Sequence, residues 1–161
     1  MSAAPKRWIT SEEYLAIERK AEFRSEYLRG EMFAMAGASY EHCGIKDNIA
    51  REAGIQLKGG PCRVVTSDLR VKVSATGLYT YPDVIIICDK PQFEDAHVDT
   101  LLNPRVVVEV ISASTEQYYR GEKFEHYQQV PSLKEYILVA QDRPFMERFV
   151  RQADGTWTPV G

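Results

Sequence analysis

One carboxylate stands inside the most hydrophobic run of the chain. The run from Val106 to Ile111 reads Val-Val-Val-Glu-Val-Ile, and its continuous apolar character is typical of a strand that is buried on both faces. An isolated carboxylate is costly to bury, so such groups are usually paired with a cation or bound to a metal. Glu109 therefore constrains the fold strongly, because the folded chain must bring it a partner. Two kinds of partner are open: a basic residue across the sheet, or a metal ion.

Two further residues could complete a site around Glu109. Asp83 stands at the head of another apolar run, Val84 to Ile87. Two carboxylates on adjacent strands could converge on one hard cation such as magnesium, which prefers oxygen ligands. Lys123 lies on the helix predicted after the Glu109 strand, and a strand–loop–helix connection of this length could bring its amine back towards Glu109. A turn role for Asp83 and a solvated position for Lys123 are the structural alternatives.

The periodicity of the whole chain predicts a mixed α/β fold. Alternating or continuous apolar runs indicate strands, and apolar residues at helical spacing indicate helices. In chain order the pattern predicts a helix (10–18), a hairpin about Arg29-Gly30, a helix (41–58), strands (62–66, 69–73, 81–88 and 106–111), a helix (116–129), a strand (136–140) and a terminal hairpin (147–160). This order predicts one domain over residues 1–161, with a central mixed sheet, flanking helices, and an N-terminal helix and hairpin.

Composition limits the functional classes. The net charge is −3, which argues weakly against tight, sequence-independent binding along a nucleic-acid backbone, because that binding depends on Lys and Arg. The three cysteines are odd in number and widely spaced, so we expect neither a disulfide framework nor a zinc site. No apolar run is long enough to span a bilayer, and residues 1–8 lack the apolar segment of a secretory signal. We therefore expect a cytoplasmic protein.

Several motifs together resemble one known family, the Uma-family putative restriction endonucleases of the PD-(D/E)XK nuclease superfamily. The motifs extend over nearly the whole chain and are specific as a set, although the Pro-Asp pair alone would be weak. They are Leu28-Arg29-Gly30-Glu31, Ala36-Gly37 to His42, Ser67-Asp68-Leu69-Arg70-Val71, Tyr81-Pro82-Asp83-Val84, Asn103-Pro104 with Val108-Glu109-Val110-Ile111-Ser112, Ser114-Thr115, Arg120-Gly121-Glu122-Lys123-Phe124, Pro131-Ser132-Leu133-Lys134-Glu135-Tyr136 and Gln141-Asp142-Arg143. The resemblance implies a restriction-endonuclease-like core, in which the helix over 41–58 precedes the strands that carry the acids.

The resemblance implies a metal-dependent DNA endonuclease with Asp83, Glu109 and Lys123 as its catalytic residues. Asp83, Glu109 and the backbone carbonyl of Val110 would hold magnesium, for which manganese could substitute. The ion would activate a water and stabilise charge on the phosphate, while Lys123 would orient the nucleophile or neutralise the developing charge. In the superfamily's basic pattern the lysine lies two residues after the second acid, where this chain has Ile111. Lys123, on the next helix, is the matching residue.

Four further residues match family positions near the site: His42, Glu31, Asp68 and Ser112. His42 could position a water or support an acid from the start of its helix, or it could be a surface cap. Glu31 and Asp68 could line the site, or they could pair with nearby arginines. Ser112 could contact the substrate, although helix capping is the simpler role.

The implied substrate is DNA, and basic groups near the acids would have to contact it. Arg70, Lys72 and Arg120 are the predicted contacts. Arg70 and Lys72 could form a small basic strip on one strand face, or simply a solvated face. Enzymes of this superfamily often act as dimers to cut both strands, so the resemblance also implies a homodimer.

Two other functions are open from the sequence. Tyr119 departs from the family pattern, in which an Asp usually precedes the Arg-Gly-Glu-Lys run, so the protein could be a nuclease-fold protein that binds nucleic acid or a protein without cutting. The nine Tyr and two Trp residues could instead form the interface of an interaction module. Carboxylate-dependent magnesium binding would separate the first alternative from a nuclease, and salt-dependent DNA binding would separate the second.

Overall fold

The computed structural model describes residues 7–160, so most of the N-terminal segment examined for a secretory signal lies outside the described residues. Within that range the helices are α1 (Ser11–Glu18), α2 (Tyr40–Leu57), α3 (Glu116–Arg120) and α4 (Glu122–Gln128). The strands are β1 (Ser25–Leu28), β2 (Glu31–Ala34), β3 (Arg63–Thr66), β4 (Arg70–Val73), β5 (Leu78–Thr80), β6 (Val84–Ile87), β7 (Thr100–Leu101), β8 (Val106–Ile111), β9 (Glu135–Ala140), β10 (Met146–Arg151) and β11 (Trp157–Val160). Among the described residues, no helix combines the length and the apolar character needed to cross a membrane.

Local sequence explains the N-terminal elements. The Thr10 side chain accepts a hydrogen bond from the Glu13 N–H, and the Glu13 carboxylate accepts one from the Thr10 N–H, which forms a capping box at the start of α1. The β1–β2 hairpin turns at Arg29 and Gly30, which have φ values of 43° and 86°. Positive φ at both central residues is what the favoured two-residue hairpin turn requires. The helix predicted over 10–18 and the hairpin predicted about Arg29-Gly30 are confirmed.

The strands form two sheets, both of which contain a parallel pair and several antiparallel pairs. The predicted mixed α/β class is confirmed, and the strands are divided between a sheet in the order β2-β1-β5-β4-β7 and a sheet in the order β11-β10-β9-β8-β6-β3. One core cluster combines Val73 and Leu78 of the first sheet with Val107 and Leu138 of the second. The two sheets therefore contribute to a common core, where the sequence pattern predicts one central sheet.

Strand β8 lies inside the second sheet, between β6 and β9. Its residues from Val107 to Ile111 are buried, as the continuous apolar run predicts. It pairs antiparallel with β6, with Val84 opposite Val108. This register brings Asp83, which precedes β6, next to Glu109, so the two acids come from directly adjacent strands.

The helix predicted over 116–129 is divided at Gly121 into α3 and α4. Gly121 has a non-helical ψ of −98°, and a Cβ added there would lie 3.1 Å from the carbonyl oxygen of Gln117. The break lets α4 take its own orientation. Helix α4 buries Lys123, His126 and Tyr127, whereas α3 buries none of its residues.

The structure contains a disulfide, although the number and spacing of the cysteines gave no reason to expect one. Cys62 and Cys88 form a disulfide, whereas Cys43 is free. Strands β3 and β6 pair with Arg63 opposite Ile87, and the next position of this register sets Cys62 opposite Cys88. The two cysteines are 26 residues apart in the chain, so their spacing does not reveal a contact that depends on strand pairing.

Candidate active site

The two predicted acids, Asp83 and Glu109, are joined across β6 and β8 by reciprocal hydrogen bonds. The backbone N–H of Asp83 donates to Glu109 Oε1 (3.1 Å), and the backbone N–H of Val110 donates to Asp83 Oδ2 (2.8 Å). Hydrogen bonds from backbone N–H groups to carboxylates are stronger than those between neutral groups. Each carboxylate is therefore fixed by the backbone of the other acid's segment, which holds the two side chains in one arrangement.

Lys123 of α4 is buried beside these acids and is only 1% exposed. Its Nζ donates to Glu26 Oε2 (2.9 Å) and to Thr80 Oγ1 (2.7 Å). Three tyrosine rings have centroids between 5.4 and 5.9 Å from Nζ, within cation–π range: Tyr118, Tyr119 and Tyr127. The amine predicted from the helix therefore reaches the region of the acids, and its position is set by an ion pair, a hydroxyl and aromatic rings.

Charge in this region is unbalanced. Three carboxylates, those of Glu26, Asp83 and Glu109, accompany the ammonium of Lys123, and we call these four residues the acidic cluster. Burial and repulsion by Asp83 raise the pKa of Glu109 to about 8, although Lys123 acts in the opposite direction. Burial opposes the charged form of Lys123, but attraction by Glu26 and Glu109 outweighs it, so the pKa of Lys123 is raised. The cluster therefore carries an excess of negative charge that a cation would offset.

Two more side chains contact the carboxylates. His42, in the first turn of α2, places Nε2 3.2 Å from Asp83 Oδ2, and its Nδ1 is buried without a hydrogen-bond partner among the described residues. Ser39 supplies the side-chain cap of α2, so His42 does not have that role. Tyr127 donates from its hydroxyl to Glu109 Oε2 (3.0 Å). The structure thus brings His42 to the acids, in line with one of its two predicted roles.

A cleft of about 470 Å³ opens beside the acidic cluster and is lined by two of its members, Glu26 and Asp83. Its walls include Glu26, Asp83, Val110 and Ser112. Ser112 donates its backbone N–H to Thr115 Oγ1, so it combines a position in the cleft with a structural hydrogen bond. A larger groove of about 900 Å³ lies between α2 and β3, but it is lined by none of the predicted catalytic residues. The smaller cleft is therefore the candidate active site.

Two predicted site residues, Glu31 and Asp68, lie outside this cleft. Glu31 pairs with Leu28 beside the turn of the β1–β2 hairpin. The side chain of Asp68 is 98% exposed, and its nearest charged partner is the Arg24 guanidinium at 3.7 Å. Neither residue is brought to the acids.

The predicted DNA contacts are all occupied by internal partners. Arg70 is buried and binds the Asp99 carboxylate (3.0 Å), and Lys72 binds Glu94 (2.8 Å). Arg120 is paired with Glu116 and Glu147. The expectation of an open basic strip at Arg70 and Lys72 is therefore corrected, because the face of β4 that carries them is covered by acidic side chains from other segments.

Sequence reasoning missed Glu26 and Tyr127. Glu26 is a carboxylate inside a predicted strand, which is the same feature that singled out Glu109. Tyr127 lies one helical turn after Lys123 and therefore on the same face of α4. Both could have been proposed from these patterns, but their contacts with Lys123 and Glu109 depend on the packing of α4 against both sheets.

Asp83 and Glu109 are the side chains of this site that could contribute ligands to a hard divalent cation. Within residues 7–160, no group of three or more His, Cys, Asp or Glu side chains is arranged to hold a metal ion by itself. Magnesium usually binds proteins through one or two carboxylates, with waters and substrate phosphates in its remaining positions. Asp83 and Glu109 supply two such carboxylates, next to a cleft and in a region of excess negative charge.

All but the first ten residues of the chain match one family model. That model is described as Uma2, putative restriction endonuclease, and the match covers residues 11–161. The chain belongs to the Uma2 family. This membership confirms the resemblance drawn from the motifs, and it supports a nuclease function.

Two proteins of Synechocystis sp. strain PCC 6803, both described as uncharacterized, are similar over nearly the whole chain. The protein slr1290 is 36% identical over 155 residues, which are 96% of this chain and 80% of that protein. The protein sll1609 is 31% identical over 157 residues, which are 98% of this chain and 89% of that protein. A crystal structure described as a putative nuclease belonging to DUF820 from Anabaena variabilis has a TM-score of 0.74 and 17% identity, covering 94% of this chain and 84% of that chain. At that identity the likeness shows the fold alone.

Proposed function

We propose that this Uma2 protein is a metal-dependent endonuclease that hydrolyses phosphodiester bonds in DNA. The observation that carries the proposal is the reciprocal bonding of Asp83 and Glu109, which fixes two carboxylates side by side below a cleft. A buried carboxylate is costly to ionise, and a bound cation would offset that cost. A hard divalent ion suits both these ligands and the phosphate oxygens of a nucleic acid.

Asp83 and Glu109, with the Val110 carbonyl, would hold magnesium, for which manganese could substitute. When bound, the ion would supply Lewis-acid activation of water and stabilisation of charge on the phosphate. His42 would hold the Asp83 carboxylate through Nε2, at 3.2 Å, and Tyr127 would hold the Glu109 carboxylate through its hydroxyl, at 3.0 Å.

Lys123 would stabilise the negative charge that develops at the phosphate during hydrolysis. Its ion pair with Glu26 keeps the ammonium charged despite burial, because the pKa of Lys123 is raised by Glu26 and Glu109 against the effect of desolvation. Glu26 would thus be a positioning residue, which acts through the lysine.

Circular DNA tests the proposal, because only an endonuclease opens a circle. Single-stranded circles and supercoiled plasmid are incubated with the protein and magnesium or manganese. We expect wild type to cut at least one substrate, and Asp83→Ala to lose about a hundredfold or more of the rate. Asp89→Asn is the matched control, since Asp89 is an acid beyond the other end of β6 with a side chain that is 74% exposed. Full metal-dependent cleavage by Asp83→Ala would contradict the assignment.

A second candidate function, binding without cleavage, rests on Tyr119. Its ring packs against the core and lies 5.4 Å from Lys123 Nζ, at the position where the family pattern has an Asp. A protein whose site has one acid fewer could keep the nuclease fold and bind nucleic acid or a protein without cutting. Calorimetric titration with manganese separates the two functions. A nuclease should bind manganese, and Asp83→Asn should abolish that binding. A protein that does not cut should show no metal binding that depends on Asp83. The predicted homodimer, which sedimentation velocity would test, and the cytoplasmic location stay predictions.

A further inference from the structure

We propose that the cleft binds one unpaired nucleobase against the ring of Tyr118, so that the preferred substrate is single-stranded DNA. The inference rests on the proposed nuclease function for its biological meaning. The base-binding site itself can be measured without cleavage, which allows the two proposals to fail separately.

The depth of the acidic cluster is the first observation. Asp83 lines the cleft with a side chain that is 13% exposed, and Glu109 and Lys123 are each only 1% exposed, so a phosphate must enter the cleft to reach Asp83. A cleft of about 470 Å³ has the size of a small-ligand pocket and can admit one nucleotide unit. A duplex presents its phosphates on the outside of a stiff, paired helix. Only an unpaired strand can bring one phosphate and its base into the cleft together.

The second observation is an aromatic ring in the wall of the cleft. Tyr118 is 38% exposed, and its ring centroid lies 5.4 Å from Lys123 Nζ, so the ring is next to the reaction centre and open to solvent. Aromatic side chains bind unpaired bases by stacking, with little dependence on sequence. The cleft is also lined by Ala36, Gly37 and Ala38, and a Cβ added at Gly37 would meet no atom within 4 Å. These small residues leave space for a base.

The third observation is the placement of the cations. Duplex binding depends on Lys and Arg side chains that neutralise several phosphates. Arg70, Lys72 and Arg120 are paired with acids, and Arg24, which lines the cleft, donates to the Ser67 carbonyl. With a net charge of −3 as well, the protein attracts a duplex backbone weakly. Stacking on Tyr118 is the interaction by which the cleft would favour an unpaired strand over a duplex.

Fluorescence anisotropy tests the site on a labelled strand of about twelve nucleotides, alone and as a duplex, with calcium in place of magnesium. We expect wild type to bind the single strand at least about tenfold more tightly than the duplex at equal salt. Tyr118→Ala should weaken single-strand binding about tenfold, and Tyr118→Phe, which keeps the ring, should stay within about twofold. Phe23→Ala is the matched control, because Phe23 is 78% exposed and lies outside the cleft.

Tyr118→Leu keeps an apolar side chain beside Lys123 and should lose single-strand binding as Tyr118→Ala does, which separates stacking from an effect on folding. The inference is overturned if the wild type binds the duplex as tightly as the single strand or more tightly. It is also overturned if Tyr118→Ala and Tyr118→Leu both bind the single strand as the wild type does. Plasmid cleavage with no preference for single strands overturns it and leaves the nuclease function intact. Binding that depends on Tyr118 without cleavage of any circle supports the base site and contradicts the nuclease function.

Discussion

The protein contains two ion clusters, each with a buried centre, that use similar residues in different proportions. The acidic cluster sets three carboxylates against one ammonium. The second cluster, which we call the arginine network, consists of Glu18, Arg19, Arg70, Tyr81 and Asp99. In it Asp99 binds both Arg19 (2.8 Å) and Arg70 (3.0 Å), while the Tyr81 hydroxyl accepts from Arg70 (2.9 Å) and donates to Glu18 (2.6 Å).

The two clusters differ in the balance between their positive and negative charges. Two guanidinium groups offset Glu18 and Asp99, and the pKa of Asp99 is held well below its usual range, chiefly by its hydrogen bond with Arg19. Asp95, which also contacts Arg19, has a side chain that is 38% exposed and is screened by water. In the acidic cluster, burial and repulsion by Asp83 instead raise the pKa of Glu109 to about 8. A balanced cluster needs no ligand, whereas excess charge beside a cleft marks a candidate site.

Removing one cation from each cluster should give the largest difference. Lys123→Met is expected to lower the free energy of unfolding by about 3–5 kcal/mol, because Glu26 and Glu109 lose their counter-charge in a buried position. Arg70→Met should cost less, since Asp99 keeps Arg19. Urea unfolding near pH 7 measures both, and adding Glu26→Gln to Lys123→Met should restore part of the loss. A larger loss for Arg70→Met would show that charge balance does not distinguish the clusters.

Magnesium should stabilise the protein through the acidic cluster alone. A ligand at a hundred times its Kd raises the free energy of unfolding by about 2.7 kcal/mol, and the wild-type Tm should rise accordingly. Asp83→Asn should remove this response, and Asp99→Asn, in the arginine network, should keep it. Thermal unfolding with and without magnesium provides the comparison, and an unchanged response in Asp83→Asn would refute the metal role.

In metal-free solution, pH should act on the two clusters in opposite directions. The pKa of Glu109 is about 8 in the folded protein against an ordinary 4.5, so between these values the folded state holds a proton that the unfolded chain has released. Stability should therefore fall as pH rises through this window, by up to about 1.4 kcal/mol per pH unit. The lowered pKa of Asp99 gives stability that is present at neutral pH and lost in acid below its ordinary 3.8.

Urea unfolding in EDTA across this window should show that slope for wild type and a flatter profile for Glu109→Gln. The glutamine variant keeps the shape of the side chain and removes the titrating group. Parallel profiles for the two proteins would contradict the prediction.

The smallest expected effects come from a matched pair of tyrosines, each of which donates a hydrogen bond to a buried glutamate. Tyr127→Phe removes the donor to Glu109, and Tyr81→Phe removes the donor to Glu18. Each should cost about 1–2 kcal/mol of stability. Only Tyr127→Phe should also slow metal-dependent cleavage, and equal rates for the two variants would argue against a role for Tyr127 in holding Glu109.

Asp83 and Glu109 can be found from the sequence because each is a charged residue in or next to an apolar run that is expected to be buried. Glu109 interrupts an apolar strand, and Asp83 opens another, so the apolar runs alone indicate that each acid requires a partner. Glu26 is harder to find because its ion pair with Lys123 joins residues 97 positions apart. The burial of Arg70 is hard to predict for a related reason. Alternating charge along β4 resembles an exposed face, but Asp99 and Tyr81 from other segments cover it.

The sequence by itself determined the mixed α/β class, the cap of α1, the turn at Arg29-Gly30 and the choice of Asp83 and Glu109 as unusual acids. Local backbone preference and the cost of burying charge act within short stretches, so short stretches reveal them. Only the tertiary structure decided that Glu26 and Thr80 hold Lys123, that Arg70 is internal, and that Cys62 meets Cys88. Strand register and sheet packing join residues that are distant in the chain, and no local pattern specifies them.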